Sequence, residues 1–197
     1  IGDKNGMSDS YISLGAIYWN QGNYPDALKN FFSALKVKEE IGDKRGIAAC
    51  YNNIGEVYRN QGKYEEALKN YREALKMEEK FGDKKGLALE YNNIGIIYKE
   101  LHNNEDALKN HFQALKIREE IGDKEGIATP YNNIAIIYEQ QGDFSHALSN
   151  HLKSLKMRED IGDKNGIAMS YLNIGDSYSG LKKYSEAIYF ADQIKNL

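Results

Sequence analysis

The chain has 197 residues, of which 41% are hydrophobic and 28% charged, enough apolar surface for a core and too much for a disordered chain. Lys and Arg number 26 against 29 Asp and Glu, a formal net charge of -3 at pH 7; no basic field exists to hold a nucleic-acid backbone or an anionic membrane, and neither is expected as a partner. No apolar run approaches the roughly 20 residues that span a bilayer, and no signal segment opens the chain; the single cysteine, Cys50, leaves no internal disulfide and no cysteine-based metal site.

A period of 40 residues runs from end to end. Units begin at Ile1, Ile41, Phe81, Ile121 and Ile161, each opening with an apolar residue, Gly, Asp and Lys. The expected organisation is one array of repeats at 1–40, 41–80, 81–120, 121–160 and a truncated 161–197. Of the 18 glycines, 17 fall in four columns, those of Gly2, Gly6, Gly15 and Gly22, so glycine punctuates the unit.

In the first unit Pro25 follows Tyr24, where a first-turn proline loses no helical hydrogen bond, and marks the start of a second helix, B. In the second unit Tyr51, Ile54, Gly55 and Tyr58 follow i, i+3, i+4, i+7 spacing and share one face of a first helix, A. Gly62 can take the left-handed conformation that ends it. Helix B then buries Ala67, Leu68, Tyr71, Ala74, Leu75 and Met77 and stops at Phe81-Gly82; Asp83 is free to cap the helix A that opens the third unit. Each helix is about 17 residues long, with turns of a few residues that force antiparallel neighbours. In the fourth unit Pro130 removes a bond to Gly126 and kinks or delays helix A if that helix starts near Lys124, and is harmless if it starts after Ile127. The fifth unit ends with a short helix through Ile188, Ala191, Ile194 and Leu197 that carries no polar cap, and Ile1 matches the close of a preceding helix B. The chain therefore reads as part of something longer, with a missing neighbour or a self-association contact covering the last repeat.

The columns resemble the tetratricopeptide repeats: their pattern of aromatic, Leu-Gly, Tyr, Ala, aromatic and Ala is matched by Tyr51, Ile54-Gly55, Tyr58, Ala67, Tyr71 and Ala74, and again by Tyr91, Ile94-Gly95, Tyr98, Ala107, His111 and Ala114. The 40-residue length is similar to the longer-helix repeats of the Pins and LGN adaptors and of kinesin light chain. The Ile-Gly-Asp-Lys-x-Gly and Tyr-Asn-Asn-Ile-Gly phrases resemble bacterial arrays that precede a sensor histidine kinase. The resemblance implies an all-α solenoid, a right-handed superhelix whose concave surface is lined by the A helices and binds peptides or proteins.

Periodicity nominates that surface independently. Opposite the stripe of Tyr51, Ile54, Gly55 and Tyr58 stand Ala49, Asn53, Glu56 and Asn60 at 100° per residue. Asn53, Asn93, Asn133 and Asn173 form a ladder that Ser13 breaks in the first unit, and an amide both donates to and accepts from an extended backbone. Matching asparagines of the Pins-like and kinesin light chain repeats contact peptide backbone, a role these positions inherit by resemblance. Leu89, Ile96 and Ile136 supply an apolar patch suited to an anchor, while Glu56, Arg59 and Lys99 put mixed charge on the flank or form solvated ion pairs. The family's clamp for a C-terminal carboxylate needs Lys or Arg where this chain has Leu89, Asn92, Thr129 and Asn132.

Other signals carry no chemistry. His102, His111, His146 and His151 have no metal-ligand spacing, and His111 and His151 replace the aromatic of Phe31 and Tyr71 at the edge of the core. The Gly-Asp-Lys-x-Gly phrases lack the strand and glycine run of a phosphate loop and read as turn and cap. Ten of the 15 tyrosines fill the two helix A columns and belong to the core. Asn30, Asn70, Asn110 and Asn150 border the apolar stripe of helix B and are expected to bond neighbouring repeats. Every polar column repeats once per unit, which argues against a single catalytic pocket. No catalytic residue, metal or cofactor is assigned. The expectation is a non-catalytic, cytoplasmic scaffold for a protein or peptide partner; the alternative is the sensory segment of a bacterial signalling protein such as a histidine kinase, in which case a periplasmic position is possible.

Overall fold

The computed structural model describes residues 3–197, with Asn196 described by its backbone alone; Ile1 and Gly2, where the first unit was expected to open, lie outside the described residues. Among them are ten α-helices and no strand: α1 Lys4–Asn20, α2 Tyr24–Ile41, α3 Lys44–Asn60, α4 Tyr64–Phe81, α5 Lys84–Glu100, α6 Asn104–Ile121, α7 Ala128–Gln140, α8 Phe144–Ile161, α9 Lys164–Gly180 and α10 Tyr184–Gln193. A short 3-10 turn, Ile194–Asn196, follows. Odd-numbered helices are the A members and even-numbered helices the B members of each pair. Two compact units result, Ile1–Leu101 with α1 to α5 and His102–Leu197 with α6 to α10.

The opening phrase of each repeat makes a stop and a start in four residues. Gly42 takes a left-handed φ of 70° after α2, and the Asp43 amide donates to the Lys38 carbonyl at 2.9 Å, which satisfies an orphan acceptor of the helix end. Asp43 then accepts from the Gly46 amide at 3.0 Å and caps α3. Asp83 does the same for Gly86 at 3.1 Å, as expected. The glycine three residues on is required for space as well: a Cβ on Gly46 would lie 2.5 Å from the Asp43 carboxylate and 2.6 Å from the Lys38 chain. Lys38, almost fully buried, reaches both Asp43 and Asp9 at 3.0 Å.

In the first unit the core lies between one B helix and the next A helix. Ala27, Phe31, Ala34 and Leu35 of α2 pack with Cys50, Ile54 and Val57 of α3, and the half-buried Tyr51 and Tyr58 close over them. Ala67, Leu68 and Tyr71 of α4 repeat the arrangement with Ile94 and Ile97 of α5. In the second unit Leu155 of α8 packs with Ile167 and Ile174 of α9. Helix A is thus buried on two faces, the expected stripe and a second one through Cys50 and Val57.

Of the two alternatives for Pro130 the harmless one holds: α7 begins at Ala128, after Ile127, and has 13 residues where α5 has 17, while Asp123 still accepts from the Gly126 amide at 3.1 Å. Two expectations change in detail. The Asn30 column does not bond neighbouring repeats. Asn30 donates to the Asp26 carbonyl at 2.8 Å and Asn70 to Glu66 at 2.7 Å, and Asn110 and Asn150 likewise bond Asp106 and His146. The cause is local: a short amide at i reaches the i-4 carbonyl of its own helix before any other acceptor. His111 and His151 lie fully inside the core, not at its edge.

Candidate functional site

Two faces of each A helix are occupied by packing, and on α3 the remaining arc holds Ala49, Asn52, Asn53, Glu56 and Asn60. Two cavities border this arc. The first, of about 140 Å³, is lined by Ala16 and Trp19 of α1, Phe31 of α2, and Asn53 and Glu56 of α3. The second, of about 180 Å³, lies among Ala48, Ala49, Asn52 and Asn53 of α3, Glu78 of α4, and Leu89 and Glu90 of α5. Asn53 lines both.

The asparagine rungs are not equivalent. Asn53 is half-buried. Asn93 is only 6% exposed and bonds Glu90 one turn before it. In the second unit Asn133 is half-buried on α7, and Asn173 of α9 donates one of its two amide N–H groups to Asn132 of α7 at 2.8 Å. Leu89 is exposed and lines the second cavity, while Ile96 and Ile136 are half-buried. Glu56 accepts from Arg59 at 2.6 Å and from the Tyr71 hydroxyl at 2.8 Å, and Lys99 pairs with Glu100 at 3.0 Å, so these flank charges are already engaged.

Four side chains that the sequence did not single out belong to the same surface. Trp19 presents a buried indole N–H with no hydrogen-bond partner. Asn52 donates to Oε1 of Glu90 at 2.7 Å. Glu90 is 2% exposed; burial pushes its carboxyl up to about 8, Glu78 and Glu56 add to the rise, and the bonds from Asn52 and Asn93 oppose it. Glu78 is also raised, by burial and by Asp83. The available signal was departure from the column: Glu78 stands where other repeats have Lys38, Arg118 and Arg158, and Glu90 where they have Cys50, Pro130 and Ser170. Elsewhere, Phe32 of α2 in the first unit and Phe112 of α6 and Leu152 of α8 in the second are exposed apolar side chains of the B helices. Among the described residues no group of three His, Cys, Asp or Glu is arranged to hold a metal ion, and no helix is long and apolar enough to cross a membrane.

The family model for the tetratricopeptide repeat matches residues 6–80 and 87–160. The chain belongs to the tetratricopeptide repeat family. Solved structures agree on the fold. BtubC (BKLC) from P. vanneervenii has a TM-score of 0.88 at 21% identity, covering 98% of this chain and 80% of that one. The Signal Transduction ATPase with Numerous Domains from Pyrococcus horikoshii, which carries a tetratricopeptide repeat sensor, has a TM-score of 0.85 at 22% identity over 98% of this chain and 30% of its own. A putative kinesin light chain of Podosopora anserina with nearly identical repeats has a TM-score of 0.79 at 12% identity, covering 100% of this chain and 96% of that one. No curated protein sequence matches the chain. The tetratricopeptide repeat is generally a non-catalytic module that binds protein partners, and the fold is that of an interaction scaffold.

Proposed function

We propose that this tetratricopeptide repeat chain holds an extended segment of a partner protein against its A helices. In the first unit Asn53 meets the segment's backbone while Leu89 and Ile96 meet its apolar side chains; in the second unit Asn133, Asn173 and Ile136 take those parts. Asn93 serves by fixing Glu90, and Glu56, Arg59 and Lys99 set the charge of the flank. The observation that carries this reading is the position of Asn53, an amide that packing leaves over, lining two adjacent cavities. Backbone recognition by amides explains how one surface holds a segment with little reading of its sequence, each hydrogen bond contributing about 1 kcal/mol. The test is to select peptides from a random displayed library on the wild-type chain and to map the bound peptide by amide chemical shifts. Shifts centred on Asn53 and Leu89, with about fivefold weaker binding for Asn53→Ala, are expected; a footprint on Phe32, Phe112 and Leu152 of the B helices would refute it.

A second reading makes the chain the sensory segment of a signalling protein. The observation favouring it is the likeness to the Pyrococcus horikoshii ATPase, in which a tetratricopeptide repeat array is the sensor. Exposed Leu172, Ile188 and Tyr189 on α9 and α10 favour an additional contact of the last repeat with a second copy, which sedimentation of wild-type and Ile188→Lys chains distinguishes.

A further inference from the structure

The second cavity of the first unit departs from the repeat in two columns at once. In the other repeats a cation near the end of helix B serves the turn that follows: Lys38 pairs with the capping Asp43 at 3.0 Å, Arg118 pairs with the capping Asp123, and Arg158 donates to Ser170 at 3.1 Å. The equivalent of α4 is Glu78, which adds a carboxylate where the capping Asp83 already stands. Facing it from α5 is Glu90, whose Oε1 accepts from Asn52 and whose buried Oε2 has no hydrogen-bond partner. Oε2 of Glu78 is equally buried and equally unpartnered. Of the other charged groups that act on this pair, Glu56 and Asp83 are acidic, and Arg45, exposed at the start of α3, is basic. The cavity therefore holds an excess of acidic groups with unpartnered buried oxygens, with Asn53 and the exposed Leu89 beside it.

Size indicates what kind of ligand fits. At about 180 Å³ the cavity falls below the roughly 300–1,000 Å³ of small-molecule sites, and suits the head of one side chain projecting from something larger. We infer that it is a specificity pocket for a basic side chain, lysine or arginine, of the segment held along the A helices: the cationic head enters between Glu78 and Glu90, the alkyl stem lies on Leu89, and Asn53 bonds the segment's backbone. This rests on the binding mode proposed above and adds its sequence preference. The buried Glu90 carboxyl and the half-buried Glu78 match the several N–H donors of an ammonium or guanidinium, and a cation offsets the penalty of ionising Glu90 there.

With its carboxyl pushed up to about 8, Glu90 in the empty pocket is about one-tenth ionised at pH 7 and nine-tenths at pH 9. Because the ionised form receives the cation, affinity for a basic peptide rises about tenfold over that interval, while lysine keeps its charge below its pKa of about 10.4.

The experiment takes dodecapeptides selected from a random displayed library on the wild-type chain and measures them by fluorescence anisotropy against wild type, Glu90→Gln, Glu78→Gln and Asn53→Ala, each variant first checked for an unchanged helical spectrum. The expected result is one fixed Lys or Arg position, at least tenfold weaker binding when that residue becomes norleucine, about tenfold tighter binding at pH 9 than at pH 7, and loss of both effects in Glu90→Gln. Parallel lysine and arginine peptides show which head is preferred. Peptides that depend on Asn53 but carry no fixed basic residue, or whose basic residue is equally favoured by Glu90→Gln, overturn the pocket and leave the binding mode standing. Peptides indifferent to Asn53→Ala overturn both.

Discussion

The same substitution, Gly to Ala in the middle of an A helix, is expected to have different effects at two equivalent positions. At Gly55 of α3 an added Cβ would stand 2.7 Å from Cε1 and 2.8 Å from Cδ1 of Tyr71. Tyr71 cannot retreat, since its ring is fully buried and its hydroxyl donates to Glu56 at 2.8 Å. At Gly175 of α9 the nearest atom is the Ala187 carbonyl oxygen at 3.5 Å, an ordinary contact. Alanine gains about 1 kcal/mol over glycine in a helix interior, and overpacking a fixed core costs about 1–3 kcal/mol. Gly175→Ala should therefore stabilise by about 1 kcal/mol, and Gly55→Ala should be neutral to about 2 kcal/mol destabilising, a difference of about 1–3 kcal/mol between the pair. The fourth repeat carries the natural counterpart: Ala135 in the glycine column, with the smaller His151 in the column of Tyr71. Urea melts by circular dichroism give the global change, and amide exchange in α3 and α9 assigns it to the right repeat, which matters because repeats need not unfold together. Equal shifts for the two variants would refute the packing account of the glycine column.

The remaining predictions test other parts of the structure. His102 and Lys182 occupy left-handed backbone, φ 57° and 60°, at the turn where Gly22 has 73°, so His102→Gly and Lys182→Gly should each raise stability by about 1 kcal/mol in urea melts, and no gain would remove the strain argument. Glu90 has a folded-state carboxyl raised to about 8 from an ordinary 4.5; the folded chain then binds the extra proton between those values, so stability is full below about pH 4.5 and is lost as pH rises through about 8. Melts from pH 5 to 9 should show this fall in wild type and a flatter profile in Glu90→Gln. Cys50 is fully buried and its thiol is pushed up to about 11 by burial, so a thiol reagent at pH 8 should label it only after urea unfolding, and rapid labelling of the folded chain would contradict its place in the core.

Much of the fold was legible because it repeats. The Gly-Asp phrase predicts a helix stop and an N-cap, and Gly42 with Asp43 supplies both. Spacing alone finds the stripe of α3 through Ile54, Gly55 and Tyr58, of which Gly55 meets Tyr71 of its own α4. Cys50, Ile54 and Val57 are also spaced i, i+4, i+7, but spacing does not say that their partners lie in α2, in the preceding repeat. Asn30 was misassigned for a related reason. A polar residue beside an apolar stripe needs a partner, but the sequence does not say that the Asp26 carbonyl, one turn back, is the nearest. Asn53 is legible as a leftover position, whereas the burial of Asn93 depends on its surroundings in three dimensions.

A column describes what every repeat needs for stacking, so the side chains that set this chain apart are those that abandon their column. Glu78 gives up the cation that serves the next cap, and Glu90 places a carboxylate where Cys50 and Ser170 fill the core at no charge. Either change alone buries an acceptor without a donor; both face one cavity, and Asn52 and Asn93 are turned to hold Glu90. Packing has no use for such an arrangement, since a cation at 78 and a small residue at 90 would remove the penalty, as happens in the neighbouring repeats. Local rules are broken together where function is the compensation. If the pair instead served stability, Glu78→Lys with Glu90→Cys would weaken the fold, whereas a pocket kept for a basic guest predicts that the double variant melts later than wild type and no longer discriminates a lysine peptide from its norleucine form.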